Sequence, residues 1–244
     1  KVEFITKYCN IRQNSSLSWL ESGLIEAMSG DALQLEGFRG CYCVGGIDLS
    51  KTLDLTSCCV VIEKGGVLYV ISRFFMPANR VQAATEEDGV PYEIYRQQGL
   101  LKLSGEAHVE YQDCFQWFRD LVEQYKIYPL KVGYDKYSST YLVEQMKAYG
   151  FHMDDVNQGY NLTPVITETE GLIREGKIRI GANNLLKINF YNTALKLDTG
   201  RNKCMIVKSG TRTRIDGVAA FLDAMTVPQK WHNEIAQQLL NPGK

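Results

Sequence analysis

Three aspartates of this chain stand where chemistry could gather. Asp48 interrupts the apolar stretch VGGIDLS, Asp135 ends KVGYD, and Asp216 opens IDGVAAFLDAM. The first two segments read as strands and the third as a helix. In an open α/β sheet, sites form beyond the carboxyl ends of the strands, so acids placed there can be brought together. Carboxylates that close repel one another, and one is driven to protonate. A divalent cation removes that repulsion. Carboxylate oxygens suit Mg²⁺ or Mn²⁺, with waters completing the octahedron. Two such ions about 4 Å apart form the clamp used for phosphodiester cleavage. The same acids have a plainer reading, since aspartate is a common turn former and helix cap. Asp216 fits a cap and Asp54 a turn. Spacing by itself leaves both readings open.

The elements that must position these acids follow from the pattern. Gly45 to Phe75 reads as two strands joined by a tight turn at Gly65-Gly66. The stretch before them, SSLSWLESGLIEAMSG, suggests a short helix capped by Ser16 or Ser18. Polar helical pieces, broken at Gly89-Val90-Pro91, fill 76–99. LLKLSG and AHVEY read as a small hairpin around Gly105. Cys114, Phe115, Phe118, Leu121, Val122 and Tyr125 recur at helical spacing. After strand PLKVGYD, the segment STYLVEQMKAYG predicts a helix capped at Ser138 or Ser139 and closed by Gly150. TPVITETEGLIREGK predicts another ending at Gly176, followed by a short strand IRI. LLKINFYNTALKLD reads as one helix, KCMIVKSG as a strand, IDGVAAFLDAMTV as the last clear helix and HNEIAQQLLNPGK as a polar tail, helical or loose. Strands alternating with helices imply an α/β layer structure with a mixed sheet.

Bulk properties bound the function. The chain has 244 residues, 45% hydrophobic and 23% charged, with a formal net charge of −1. No apolar run approaches the roughly 18 residues of a membrane span, and no signal-peptide pattern opens the chain. It begins KVEFITKYCN without a Met and is expected to be a piece of a longer protein. Seven cysteines, none in C-x-x-C spacing, point to free thiols of a reducing compartment and away from zinc. A basic stripe for nucleic acid is missing, but acids that hold cations can still meet phosphate through the metal. Lys208, Arg212 and Arg214 cluster before Asp216 and are candidates for phosphate contact, or else a solvated loop. Lys136 and Tyr137 flank Asp135 and could touch DNA, with packing an equal reading for Tyr137. His108, His152 and His232 lack ligand spacing. GLIREGKI imitates a phosphate-binding loop, yet Ile178 replaces its Ser/Thr and the segment reads as a helix end, so no ATP site is expected there.

In order and over nearly the whole chain, these segments resemble the nuclease domain of the large terminase subunit of tailed bacteriophages. WLESG and GGIDLSKTLDLT resemble its linker and first acidic strand. MPANRVQAATEEDGVPYEIYRQQGLLKLSGEAHVEY resembles its intervening region. YKIYPLKVGYDKYSSTYLVEQMKAYGF resembles its second acidic strand with the following helix, and RTRIDGVAAFLDAM its third acidic motif. The resemblance implies an RNase H-like fold, a central mixed sheet flanked by helices. It implies Asp48, Asp135 and Asp216 as ligands of two Mg²⁺ or Mn²⁺ ions, and endonucleolytic cutting of concatemeric double-stranded DNA during genome packaging. It divides the chain into a lead-in at 1–40, a nuclease domain at 41–230 and a tail at 231–244. It places the full-length protein in the infected bacterial cytoplasm with an ATPase domain, a small terminase subunit and a portal as partners. In two places the chain departs from the family: Tyr137 and Ser138 stand where many relatives have Trp-Asn, and IGANNLL replaces a stretch that often has His and Pro. Asp223 lies seven residues after Asp216 on the same helical face. A rise of about 10 Å keeps both from holding one metal pair directly. The motif selects Asp216 and leaves Asp223 as a supporting acid, a partner for a base or a surface residue. The same fold serves junction resolvases and transposase-like enzymes, and a docking module without catalysis is the remaining alternative.

Overall fold

The computed structural model describes residues 17–49, 55–135 and 140–240. The chain runs through β1 (Leu17–Ser18), α1 (Ser22–Met28), β2 (Tyr42–Asp48), β3 (Thr56–Lys64) and β4 (Val67–Met76). The polar insertion follows as α2 (Val81–Asp88), α3 (Tyr92–Gln97) and β5 (Leu101–Leu103). Next come α4 (Tyr111–Glu123), β6 (Tyr128–Asp135), α5 (Thr140–Tyr149), β7 (Met153–Val156), α6 (Thr163–Arg174) and β8 (Ile178–Arg179). The chain closes with α7 (Asn184–Tyr191), β9 (Thr193–Asp198), β10 (Lys203–Lys208) and α8 (Asp216–Leu240).

A central sheet has the order β5-β4-β3-β2-β6-β7, with β8 also pairing along β4. β2, β3 and β4 are antiparallel, whereas β6 is parallel to β2 and β7 is parallel to β6. The sheet is therefore mixed, as the alternation of strands and helices predicts. β3 (TSCCVVIEK) is buried up to Ile62, because both of its faces are covered. One apolar cluster lies on the side of α6, α7 and α8, and includes Phe74, Phe190 and Phe221. The other lies on the side of α4 and α5, and includes Phe75, Phe118 and Leu142. Trp19, Leu20, Ile25 and Met28, from the segment read as a lead-in, are buried in the first cluster.

Paired glycines set the helix distance. A Cβ on Gly46 would lie 1.9 Å from the Ala220 carbonyl oxygen, and one on Gly133 would lie 2.3 Å from that of Asp223. Gly46 and Gly133 are register partners on adjacent strands, so α8 lies directly on bare backbone. Gly45 faces the other way, where a Cβ would meet the Phe118 ring at 2.8 Å. The two glycines before Ile47 and Asp48 thus admit one helix on each face of β2.

The tight β3–β4 turn forms as expected, with positive φ at Gly65 and Gly66. Three expectations are corrected. LLKLSG and AHVEY do not make a hairpin: β5 joins β4 in parallel. The chain after it turns on Ser104, whose Oγ accepts from Glu110 N–H at 3.0 Å, a side-chain bond that replaces a ladder. The predicted helix over LLKINFYNTALKLD stops at Tyr191, and Thr193–Asp198 becomes a strand between β1 and β10. Cross-strand pairing there overrides the helix propensity of Ala, Leu and Lys. The first helix starts at Ser22, after Glu21, with no side-chain cap. Ser18 is in β1 and bonds the Leu20 carbonyl instead, and Ser16 lies outside the described residues. Ser138 and Ser139 also lie outside them. The segment read as a tail extends α8 to Leu240, bending at Trp231, soon after Pro228. Lys131 stacks its ammonium 4.0 Å from the Trp231 ring centroid and reaches Glu234 at 3.2 Å, which fastens this last stretch to β6.

Candidate metal centre

The parallel pairing of β2 with β6 aligns Ile47 with Tyr134. The next step along both strands sets Asp48 beside Asp135. Side chains alternate along a strand, and Gly46 and Gly133 face α8. Two residues on, Asp48 and Asp135 take that same face. Asp216 begins α8 and is 9% exposed. The helix start is fixed locally: Gly217 N–H donates to Asn189 Oδ1 at 2.9 Å, and Gly217 lies against the Phe74 ring. Three sequence-predicted acids therefore converge at the carboxyl ends of adjacent parallel strands.

Their electrostatics agree with that convergence. The Asp48 carboxyl is held well above the usual carboxylate range, first by burial, then by the charges of Asp216 and Asp135. Asp48 keeps some surface exposure, but the atoms packed around its carboxylate make desolvation the larger cause. Lys208, at the end of β10, and a hydrogen bond from Gln158 act in the opposite direction. These are hard oxygen donors whose repulsion a divalent cation would offset, so the donor set fits Mg²⁺ or Mn²⁺. Among the described residues, no three His, Cys, Asp or Glu side chains are arranged to hold an ion as they stand. The acids lie near enough for the charges of Asp216 and Asp135 to act on Asp48, without closing on a common point.

Asp223 is fully buried and lies over Gly133. Its carboxyl is raised by burial, then by the charge of Asp48, with a smaller contribution from Asp135. Gln158 Nε2 donates to both of its oxygens, at 3.1 and 3.3 Å. Of the three roles open to Asp223, the surface position is excluded. Gln158 was not apparent from the sequence, because β7 was not: MDDV pairs two acids that look like a loop. Asp154 is buried there against Lys230 at 2.7 Å. Seen as a third parallel strand, MDDV would have pointed to the residues just after it.

The basic candidates separate. Lys208 and Arg212 are exposed, and Lys208 acts on Asp48. Arg214 is buried in an ion pair through its Nε with Asp88, their side chains 8% and 6% exposed. It is thus withdrawn from the surface where a phosphate would lie, which corrects the reading of a cluster of three. Tyr92 donates to the same Asp88 oxygen at 2.7 Å. This group ties the polar insertion to the lead-in of α8, two residues before Asp216. Lys136 and Tyr137 lie outside the described residues. The phosphate-loop imitation GLIREGKI is the end of α6, closed by Gly176 at φ 68°, and not a loop between strand and helix. Cys41, Cys43, Cys58, Cys59, Cys114 and Cys204 are free thiols.

A mixed sheet with acids at the ends of its parallel strands and a long helix laid across it is the RNase H-like arrangement. Solved structures with the same fold are terminase nucleases. The HK97 bacteriophage large terminase superposes with a TM-score of 0.75 at 21% identity, over 92% of this chain and 47% of that one. The large terminase nuclease of thermophilic phage G20c with bound magnesium gives 0.55 at 13%, over 88% and 98%. Residues 1–231 match the endonuclease domain of the terminase large subunit, and the chain belongs to that family. It is 25% identical over 180 residues to the large terminase subunit of Enterobacteria phage HK97, covering 72% of this chain and 35% of that protein. It is 22% identical over 234 residues to protein YmfN of Escherichia coli K12, covering 91% and 51%. The chain thus spans about a third and about half of the length of these two relatives.

Proposed function

We propose that this chain is a divalent-metal-dependent endonuclease that cuts concatemeric double-stranded DNA during phage genome packaging, by a two-metal mechanism. The observation that carries the reading is Asp48 beside Asp135 on adjacent parallel strands, with Asp216 close enough for its charge to act on Asp48. The magnesium-bound and cobalt-bound G20c nucleases support a cation requirement. Asp48, Asp135 and Asp216 would hold two Mg²⁺ or Mn²⁺ ions. When bound, such a pair lowers the pKa of an attacking water and stabilises the leaving oxygen. Asp48 feels the charges of both Asp216 and Asp135, so it is the acid placed to be shared between two ions. Lys208 and Arg212 supply positive charge where the DNA backbone would approach, and Lys136 is placed by sequence beside Asp135. The reading assigns the ATPase activity to another part of a longer protein, working with a small terminase subunit and a portal in the host cytoplasm.

Plasmid digestion tests this directly. Mn²⁺ and Mg²⁺ are expected to support nicking and linearisation with little sequence preference. Ca²⁺ is expected to bind and support little cutting, because its looser coordination misplaces the nucleophile. Full activity in EDTA overturns the proposal. Preference for four-way junctions over linear DNA would instead point to a resolvase, and no pair of divalent ions bound at these acids to a docking module.

A further inference from the structure

We propose that Gln158 is a positioning residue of this centre: clamped by the buried Asp223, its carboxamide holds the Asp48 carboxylate in place for the cation. The inference rests on the nuclease reading and adds two residues that its three-acid motif does not contain. Gln158 stands two residues past Val156, the register partner of Asp135. It therefore enters the centre from the end of the third parallel strand. Its Nε2 donates to both oxygens of Asp223, and the Asp48 carboxylate is near enough for the same amide to favour its charged form. A primary amide has two N–H donors, enough for two carboxylates. With acceptors on both sides, the nitrogen must face them and the amide oxygen must turn away.

Asp223 makes sense only with such a partner. Its neighbours on α8, Leu222 and Ala224, are buried apolar residues of the core. Its own exposure is 0%. A carboxylate in that position is unfavourable unless hydrogen-bonded, and Gln158 is the donor the geometry provides. The backbone of Asp223 is itself fixed, since its carbonyl oxygen packs against Gly133. The order of dependence runs from the Gly133 contact to Asp223, from Asp223 to Gln158, and from Gln158 to Asp48.

A hydrogen bond to a charged group is strong enough that its loss is expected to raise the metal concentration for half-maximal cleavage about tenfold. The test is plasmid cleavage over a Mn²⁺ titration, with Gln158→Ala, Asp223→Asn and the double variant, each checked for folding by circular dichroism. Gln158→Ala is expected to need about tenfold more Mn²⁺, and to cut within about threefold of the parent rate at saturation. Asp223→Asn keeps an acceptor for Gln158 and is expected to shift the Mn²⁺ requirement less. Combined with Gln158→Ala, it should add nothing further. A purely structural role would lower stability without moving the metal dependence. Calorimetry with Mn²⁺ alone separates this proposal from the nuclease reading. If the parent binds Mn²⁺ but does not cut, the nuclease reading falls, while a weaker Mn²⁺ affinity of Gln158→Ala still supports the clamp. Unchanged Mn²⁺ affinity and unchanged metal dependence in Gln158→Ala overturn it, as does a parent that binds no Mn²⁺.

Discussion

Gly46 and Gly133 are register partners on adjacent parallel strands, and both present bare backbone to the helix that begins with Asp216. Two residues further along the same strands stand Asp48 and Asp135. The spacing couples packing to chemistry: the contact that lets the helix lie close also decides how near Asp216 comes to the strand acids. Gly46→Ala is expected to destabilise the protein by more than the 1–3 kcal/mol usual for overpacking, because its Cβ meets the Ala220 carbonyl and the Ala224 nitrogen, which cannot rotate away. Thermal unfolding checks this. A melting temperature equal to the parent's would mean that the helix can retreat freely.

The buried pair of Arg214 and Asp88 gives a second expectation. Removing one partner strands a charge, and Arg214→Met is expected to cost about 3–5 kcal/mol. Arg214→Met with Asp88→Leu should recover much of that loss, since two apolar side chains can replace a buried ion pair. Denaturant unfolding of the two variants decides the point. A double variant no more stable than Arg214→Met would show that the remaining bonds of this group, such as that of Tyr92, dominate.

The metal-free protein should respond to pH through its raised carboxyls. Asp48 and Asp223 titrate above their unfolded values, near 4, because burial and neighbouring acids oppose ionisation. An acid with a raised folded pKa binds more protons folded than unfolded. Its favourable contribution is complete below the unfolded pKa and is lost as pH rises through the folded one. In EDTA, Asp223→Asn is therefore expected to melt higher than the parent at pH 7, by about 2–4 °C for each kcal/mol recovered. The gap should narrow toward pH 4. A gap that widens on acidification would contradict the assignment.

How much of this was legible in the sequence depended on what kind of signal each part left. Asp48, Asp135 and Asp216 break or end apolar segments, and that contrast survives in one dimension. The helix over Tyr111–Glu123 was legible because Phe115, Phe118 and Leu121 repeat on one face. β7 was hidden because Asp154, which needs Lys230 to be buried, makes its residues look like a loop. With β7 hidden, Gln158 had no address. Arg214 looked like a surface base because its partner Asp88 lies 126 residues earlier. TALKL became a strand because β1 and β10 flank it, which no local propensity records.

The last expectation separates the two acids of one helix. Asp216 opens α8, and its charge is the largest of those raising Asp48. Asp223 lies about two turns on, buried against Gly133 and bonded to Gln158. The rise of about 10 Å between their backbones is too long for both to grip ions held about 4 Å apart. Asp216 sits at the strand ends, where the other two acids point, whereas Asp223 reaches the centre through an amide. Asp216→Asn removes the negative charge and replaces one of the two donor oxygens by an amide nitrogen that does not bind a hard cation, and is expected to abolish cleavage in an intact fold. Asp223→Asn keeps a carbonyl oxygen for Gln158 and is expected to retain substantial activity at saturating Mn²⁺. Both variants, shown folded by circular dichroism and assayed on plasmid DNA with Mn²⁺, decide between the acids. An active Asp216→Asn beside a dead Asp223→Asn would move the metal ligand two turns down the helix.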